Sequence, residues 1–204
     1  MPESADEVFK RIVASTSDGG RLPTPPSVGW DIFPWDVVDG ALAPKVIWPG
    51  DEPGRRGEGT ATSCPECIGI DRERIVWEDE HWLLTHPGGP TGLPLVLMLH
   101  TREHEDFGQL DDEIASQYGR ISNRLVRIVE NLPNIGRVHV SRWGDGGAHF
   151  HVWFFARTRG LMPVLGSPAA DWNDIIPPGA EDVWRADLHT VAMKLSNWGG
   201  DARA

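Results

Sequence analysis

The chain has 204 residues, 40% of them apolar and 24% charged, and its 19 basic against 30 acidic side chains leave a formal net charge of −11. A length of this order buries a core without staples, either as one domain with appendages or as two small ones. The acidic balance excludes a general binder of nucleic-acid polymers or anionic membranes, though a small phosphorylated ligand needs only a local positive pocket.

No apolar run reaches the roughly 18 residues that span a bilayer, and Met1–Lys10 is too polar and acidic for a signal-peptide core. A cytoplasmic location is the expectation. Residues 1–60 read as an irregular arm rich in Pro and Trp. A short helical pattern over Ala5–Ala14, with Val8, Ile12 and Val13 on one side, runs into Pro23, Pro25 and Pro26. The aromatic segment Trp30–Trp35 and Gly/Pro-rich sequence to Gly59 follow. Pro and Gly at this density exclude long helices and central strands, so the arm's apolar side chains are expected to lie across the neighbouring core.

Residues 61–160 read as a folded domain. A strand over Arg74–Val76, a solvated turn at Glu78-Asp79-Glu80 and a strand over Trp82–Thr85 come first. A Gly/Pro loop, Pro87–Pro94, then leads into the continuous apolar run Leu95–Leu99, which suits a buried strand. From Leu110 to Leu132 the apolar positions (Ile114, Tyr118, Ile121, Leu125, Ile128) recur at helical spacing. Asp111, Asp112 and Glu113 stand at the positive end, and Pro133 stops the helix. Strands over Arg137–Trp143 and His149–Arg157 are joined by Gly144-Asp145-Gly146-Gly147, a tight-turn signal. This order predicts an α+β fold: an antiparallel sheet of about five strands with one long helix packed on it. Residues 161–204 form a C-terminal extension with a helix over Ala180–Trp198. Its stripe of Val183, Trp184, Leu188, Val191 and Leu195 must be buried on this domain or on a second copy. The 10 tryptophans are scattered, as befits core and seam fillers.

The chemistry-bearing residues are few. Cys64 and Cys67 are the only cysteines, and in a cytosolic chain their spacing points to metal ligation or redox chemistry before a structural disulfide. A tetrahedral site needs two more ligands, for which His104, just beyond the buried strand, and His149 are the candidates. No helix is expected to start at so Gly- and Pro-rich a segment, which removes a thioredoxin-like context; a free or redox-active pair stays open. In His149-Phe150-His151-Val152-Trp153-Phe154-Phe155, alternation puts His149, His151 and Trp153 on one face and Phe150, Val152 and Phe154 on the other. Imidazoles beside a glycine turn can hold a metal or act as nucleophile, with turn amides for phosphate oxygens. Equally, they can be strand histidines bonded to carbonyls. His86 reads as a solvated loop residue, His81 as an exposed turn residue, and His139 as able to take either face. Arg157 can meet a phosphate or pair with an acid.

Taken in order, Cys64–Cys67, Trp77-Glu78-Asp79-Glu80-His81-Trp82, Leu95 through Thr101-Arg102-Glu103-His104, the 110–132 helix and His149–Arg157 resemble the histidine triad (HIT) superfamily of nucleotide hydrolases and transferases. The resemblance implies structural zinc held by Cys64, Cys67, His104 and His149. It also implies that His151 attacks an α-phosphate to form a nucleotidyl-histidine intermediate, on a small nucleotide-like ligand, in a chain that can pair with a second copy. The third triad position is Trp153, whose indole can orient an oxygen but cannot shuttle a proton. The glycine stretch lacks the family's hydroxyl, leaving the backbone at Gly146 and Gly147, with Arg142, to meet phosphate. Pro87-Gly88-Gly89-Pro90 stands where the family holds the ribose with an acid. A zinc-stabilised scaffold that binds a ligand or protein without catalysis is the alternative reading.

Overall fold

The computed structural model describes residues 1–17, 19–24, 33–162 and 164–204; Pro25, Pro26, Trp30, Asp31 and Ile32 of the arm lie outside them. The fold is α+β, built on an antiparallel sheet of six strands in the order β6-β7-β5-β4-β3-β8. These strands are β3 (Ile75–Glu78), β4 (Trp82–Thr85), β5 (Leu95–Thr101), β6 (Ile135–Ser141), β7 (His151–Thr158) and β8 (Asp201–Ala202). The sixth, β8, pairs Ala202 with Trp77 and Asp201 with Glu78. It is two residues long, too short to leave a periodic signal.

The long helix α3 (Asp112–Glu130) follows its sequence pattern: Asp111 caps it through the Ile114 amide, and Ile121, Leu125, Ile128 and Val129 are buried. With helix α5 (Glu181–Ser196) it covers one face, burying Trp82, Leu84, Leu95, Leu97, Leu99, Phe150, Val152 and Phe154. The α5 stripe is therefore satisfied within the chain, with Trp184, Leu188, Val191 and Leu195 in that core. Phe150, at 0% exposure, sits amid Trp82, Phe107 and Tyr118.

The other face is covered too. Val96 and Phe155 pack with Leu93, Val8 of helix α1 (Ala5–Ala14), Val164, Ala169 of helix α4 (Ala169–Ile175) and Ile176. The physical reason is that β5 and β7 carry nearly continuous apolar runs, as strands buried on both sides do. Helix α1 is fixed by a Ser4–Glu7 capping box.

Four expectations need correction. Of the arm's described apolar side chains only those of α1 (Val8, with Ile12 against it) cover the core; Phe33, Trp35, Val37, Val38, Leu42, Val46, Ile47 and Trp48 are exposed. Part of that segment is a hairpin, β1 (Trp35–Val38) with β2 (Ala41–Pro44), turned by Asp39 (φ 51) and Gly40 (φ 80), the left-handed pair a two-residue hairpin loop favours. The link between β6 and β7 is no tight turn. His149 precedes β7, because the Phe150 amide donates to Glu105 O at 2.6 Å and draws the chain off the ladder. Glu78 is not solvated but 6% exposed, held by Arg102 and by Arg203 Nε at 2.6 Å. His86 is buried as well: its Nδ1 accepts from the Gly88 amide, Nε2 donates to Glu73 O, and the ring meets Trp184 edge-on at 4.7 Å. Among the described residues no helix is long and apolar enough to cross a membrane.

Candidate functional site

Three stretches distant in sequence converge at one end of the sheet. Contrary to the sequence expectation, a helix does start at the cysteine pair: α2 (Pro65–Gly69), five residues long, with Cys64 as its N-cap and Pro65 in its first turn, where a missing N–H costs nothing. This short turn brings both thiols to one side. His104 follows β5, and His149 precedes β7.

The ligand atoms of Cys64, Cys67, His104 and His149 all lie within 4.8 Å of one another. Cys64 Sγ is 3.4 Å from His149 Nδ1, and Cys67 Sγ is 3.3 Å from both His104 Nδ1 and His149 Nδ1. With metal–sulfur bonds of about 2.3 Å and metal–nitrogen bonds of about 2.0 Å, a tetrahedron has sulfur–nitrogen edges of about 3.5 Å. The donor set and its edges therefore fit a tetrahedral soft-to-borderline cation. The far ring nitrogens are already engaged: His104 Nε2 donates to Gly57 O at 3.0 Å, and His149 Nε2 to Thr101 O at 2.8 Å. Each bond fixes the tautomer that turns the Nδ1 lone pair toward the thiols. Both cysteines are free, and burial pushes the Cys64 thiol up to about 11.

His151 opens β7, cross-strand from His100. Its Nδ1 donates to the carbonyl of His149 at 2.8 Å. The Nε2 lone pair is thereby left free on a half-buried ring. One residue thus serves both centres: the His149 imidazole faces the thiols while its carbonyl sets the His151 tautomer.

The glycine stretch runs alongside. A β-carbon added at Gly147 would lie 3.9 Å from His151 Cε1. The amides of Gly146 and Gly147 make no hydrogen bond to any described residue, whereas the Ala148 amide is taken by Arg56 O at 3.0 Å. Arg142 is near but committed, bonded to Asp106 Oδ1 at 2.6 Å and lying over the Phe107 ring. Arg55 takes the other oxygen of Asp106 at 2.6 Å. These two guanidiniums hold the Asp106 carboxyl below its usual range against the opposing effect of burial.

Two residues singled out in the sequence behave differently. Trp153 is half-buried and stacked on Phe155 at 5.7 Å, against the second core. Arg157 is not brought to the site. It lies six residues along β7, about 20 Å from His151 at strand rise, beside Gly136. His139 shares Phe155's side of the sheet, its Nε2 buried and unpartnered. His81 is half-exposed in the β3–β4 turn. A groove of about 690 Å³ lies elsewhere, beside α3, and is lined by Glu78, His81, Arg102, Arg120 and Trp198 among others.

Sequence reasoning passed over His100 and Arg56. His100 is 2% exposed, its Nε2 3.0 Å from Thr85 Oγ1 and its Nδ1 unpartnered. Burial, opposed by the charge of Glu66, pushes its imidazole down to about 3. Its place in a strand read as wholly apolar through Leu99 was the only available signal.

No family model and no curated protein matches the sequence. Among solved structures the chain is similar to a Zn-bound histidine triad family protein from Mycobacterium smegmatis, at 17% identity over 67% of this chain and 99% of that one, with a TM-score of 0.45. It is also similar to a histidine triad protein from Bradyrhizobium japonicum (16%, 59% and 89%, TM-score 0.46). A third is a hypothetical histidine triad nucleotide-binding protein from Sulfolobus tokodaii (14%, 61% and 84%, TM-score 0.43). What the chain resembles among known structures is the histidine triad family.

Proposed function

We propose that the chain is a zinc-stabilised nucleotide phosphohydrolase or nucleotidyltransferase of the histidine triad kind, with His151 as its nucleophile. The observation that carries this reading is the Nδ1–H bond from His151 to His149 O, which leaves Nε2 as the ring nitrogen available to attack phosphorus. In the first step Nε2 forms a bond to phosphorus, and the bond from phosphorus to the leaving group breaks with its electron pair. In the second, water attacks phosphorus and loses a proton to solvent while the P–N bond breaks with its electron pair to Nε2, returning His151. The indole of Trp153 has no acid–base capacity, so the leaving group takes its proton from solvent. Zinc, when bound by Cys64, Cys67, His104 and His149, supplies structure: it neutralises the thiolates and pins the His149 backbone.

The test is intact-mass spectrometry after incubation with an adenosine phosphoramidate. A mass increase of one adenylyl group on the wild-type chain, absent from His151→Asn at equal metal content, is the expected result. Turnover that survives His151→Asn removes His151 from the reaction. A second reading, a scaffold that binds a ligand without turning it over, is favoured by the stacking of Trp153 on Phe155. Binding of the phosphoramidate with neither adduct nor turnover is its signature.

A further inference from the structure

We propose that Arg56, delivered by the N-terminal arm, is the phosphate-binding cation of the His151 site; the proposal rests on the function just described and names a residue of that same site. The arm is knitted to the glycine stretch by its backbone. The Arg56 amide donates to Gly146 O at 3.2 Å, and Arg56 O accepts from the Ala148 amide at 3.0 Å. Together they form a parallel bridge opposite Gly147. The position of the Arg56 side chain follows from this bridge.

Its Nε donates to Gly146 O at 3.1 Å, and a β-carbon at Gly146 would stand 3.7 Å from its Nη2. The guanidinium lies beside Gly146 and the His151 ring beside Gly147, neighbouring glycines whose amides are unspent. Of an arginine's five N–H donors, those on the two terminal nitrogens remain free to bind. Charge separates Arg56 from its neighbours. Arg55 and Arg142 are both neutralised by Asp106, and Arg55 also by Glu58, whereas Arg56 makes no ion pair with any described residue. In a chain of net charge −11, an exposed guanidinium with no carboxylate partner, one residue along the glycine stretch from the His151 ring, is a placement for an external anion.

The next residue ties this cation to the metal ligands. Gly57 (φ 77) accepts from His104 Nε2 through its carbonyl, and a β-carbon there would come within 2.8 Å of Cys64 Cβ. Only glycine permits that approach, so the arm is locked against the ligand cluster at one residue and presents its cation at the one before. The ligand it selects is a phosphate ester.

The experiment is calorimetric titration of the metal-loaded chain with adenosine 5′-monophosphate, for wild type, Arg56→Gln, Arg56→Lys and the distant control Arg185→Gln. Loss of charge-assisted hydrogen bonds predicts that Arg56→Gln weakens binding by about ten- to a hundredfold. Arg56→Lys recovers part of that loss, and Arg185→Gln is unchanged. Because the arm is held by the Arg56 backbone, thermal midpoint and metal content stay at wild-type values. Equal affinity in wild type and Arg56→Gln overturns this proposal and leaves the role of His151 standing. A wild-type chain that binds no monophosphate overturns the underlying reading as well.

Discussion

His100 makes the acid sensitivity of this fold calculable. Its ring is buried between β4 and β7, with Nε2 bonded to the Thr85 hydroxyl and Nδ1 facing no partner, and burial pushes its pKa from 6.5 down to about 3. In the unfolded chain the imidazole protonates near 6.5; in the folded chain it stays neutral. The stabilisation is therefore fully present above 6.5 and is lost as pH falls toward 3. At about 1.4 kcal/mol per pKa unit, His100 alone removes about 3 kcal/mol near pH 4.5, and about 5 kcal/mol once both states are protonated. His100→Leu abolishes this contribution. It also deletes the unpartnered Nδ1 and leaves the Thr85 hydroxyl its bond to Met98 O, so it is expected to be neutral or stabilising at neutral pH. Urea denaturation across a pH series reads the difference. Protonation of the other histidines and of the cysteine–histidine cluster is common to both chains and cancels. The wild-type stability should fall faster than the variant's by about one proton's worth, about 1.4 kcal/mol per pH unit. Parallel curves between neutrality and pH 4.5 would refute the reasoning, since they would mean that His100 titrates alike in both states.

Two further outcomes are expected. Stripping metal with a strong chelator should lower the thermal midpoint by many degrees, and Cys64→Ser or His104→Ala should bind less than one equivalent of zinc when assayed by atomic absorption; an unchanged midpoint with full chelation argues against a structural metal. Glu78→Gln leaves the Arg102 and Arg203 guanidiniums without their shared carboxylate and should cost about 2–4 kcal/mol by chemical denaturation. Burial opposes these two arginines but does not outweigh them, so the Glu78 carboxyl sits below its usual range. The stabilisation it provides is present at neutral pH and disappears as pH falls through that lowered value.

Much of the candidate site was legible because its signals are local. Cys64-x-x-Cys67 states a donor pair in one turn, and the run from His151 to Phe155 states which side chains share a side. Helix α3 could be read from spacing alone, since one buried stripe on a 3.6-residue period has few alternatives. The Asp39-Gly40 hairpin was missed: an Asp-Gly pair between short apolar stretches is its signal, but the Pro-rich surroundings obscured it.

What depended on the tertiary structure has a common cause: its partners lie far away along the chain. Glu78 looks like a turn residue until Arg102 and Arg203, 24 and 125 residues on, close over it. His86 looks solvated until Trp184 packs against it. Arg56, in an arm without periodicity, becomes part of the site only because its backbone bonds to residues about 90 positions later. Sequence by itself determined the ligand types, the alternation and the helical stripes, because these follow from backbone geometry over a few residues. Which charges stay free, which histidines are desolvated and which guanidinium stands beside His151 were decided by long-range pairing, because burial and charge neutralisation are properties of a neighbourhood in space.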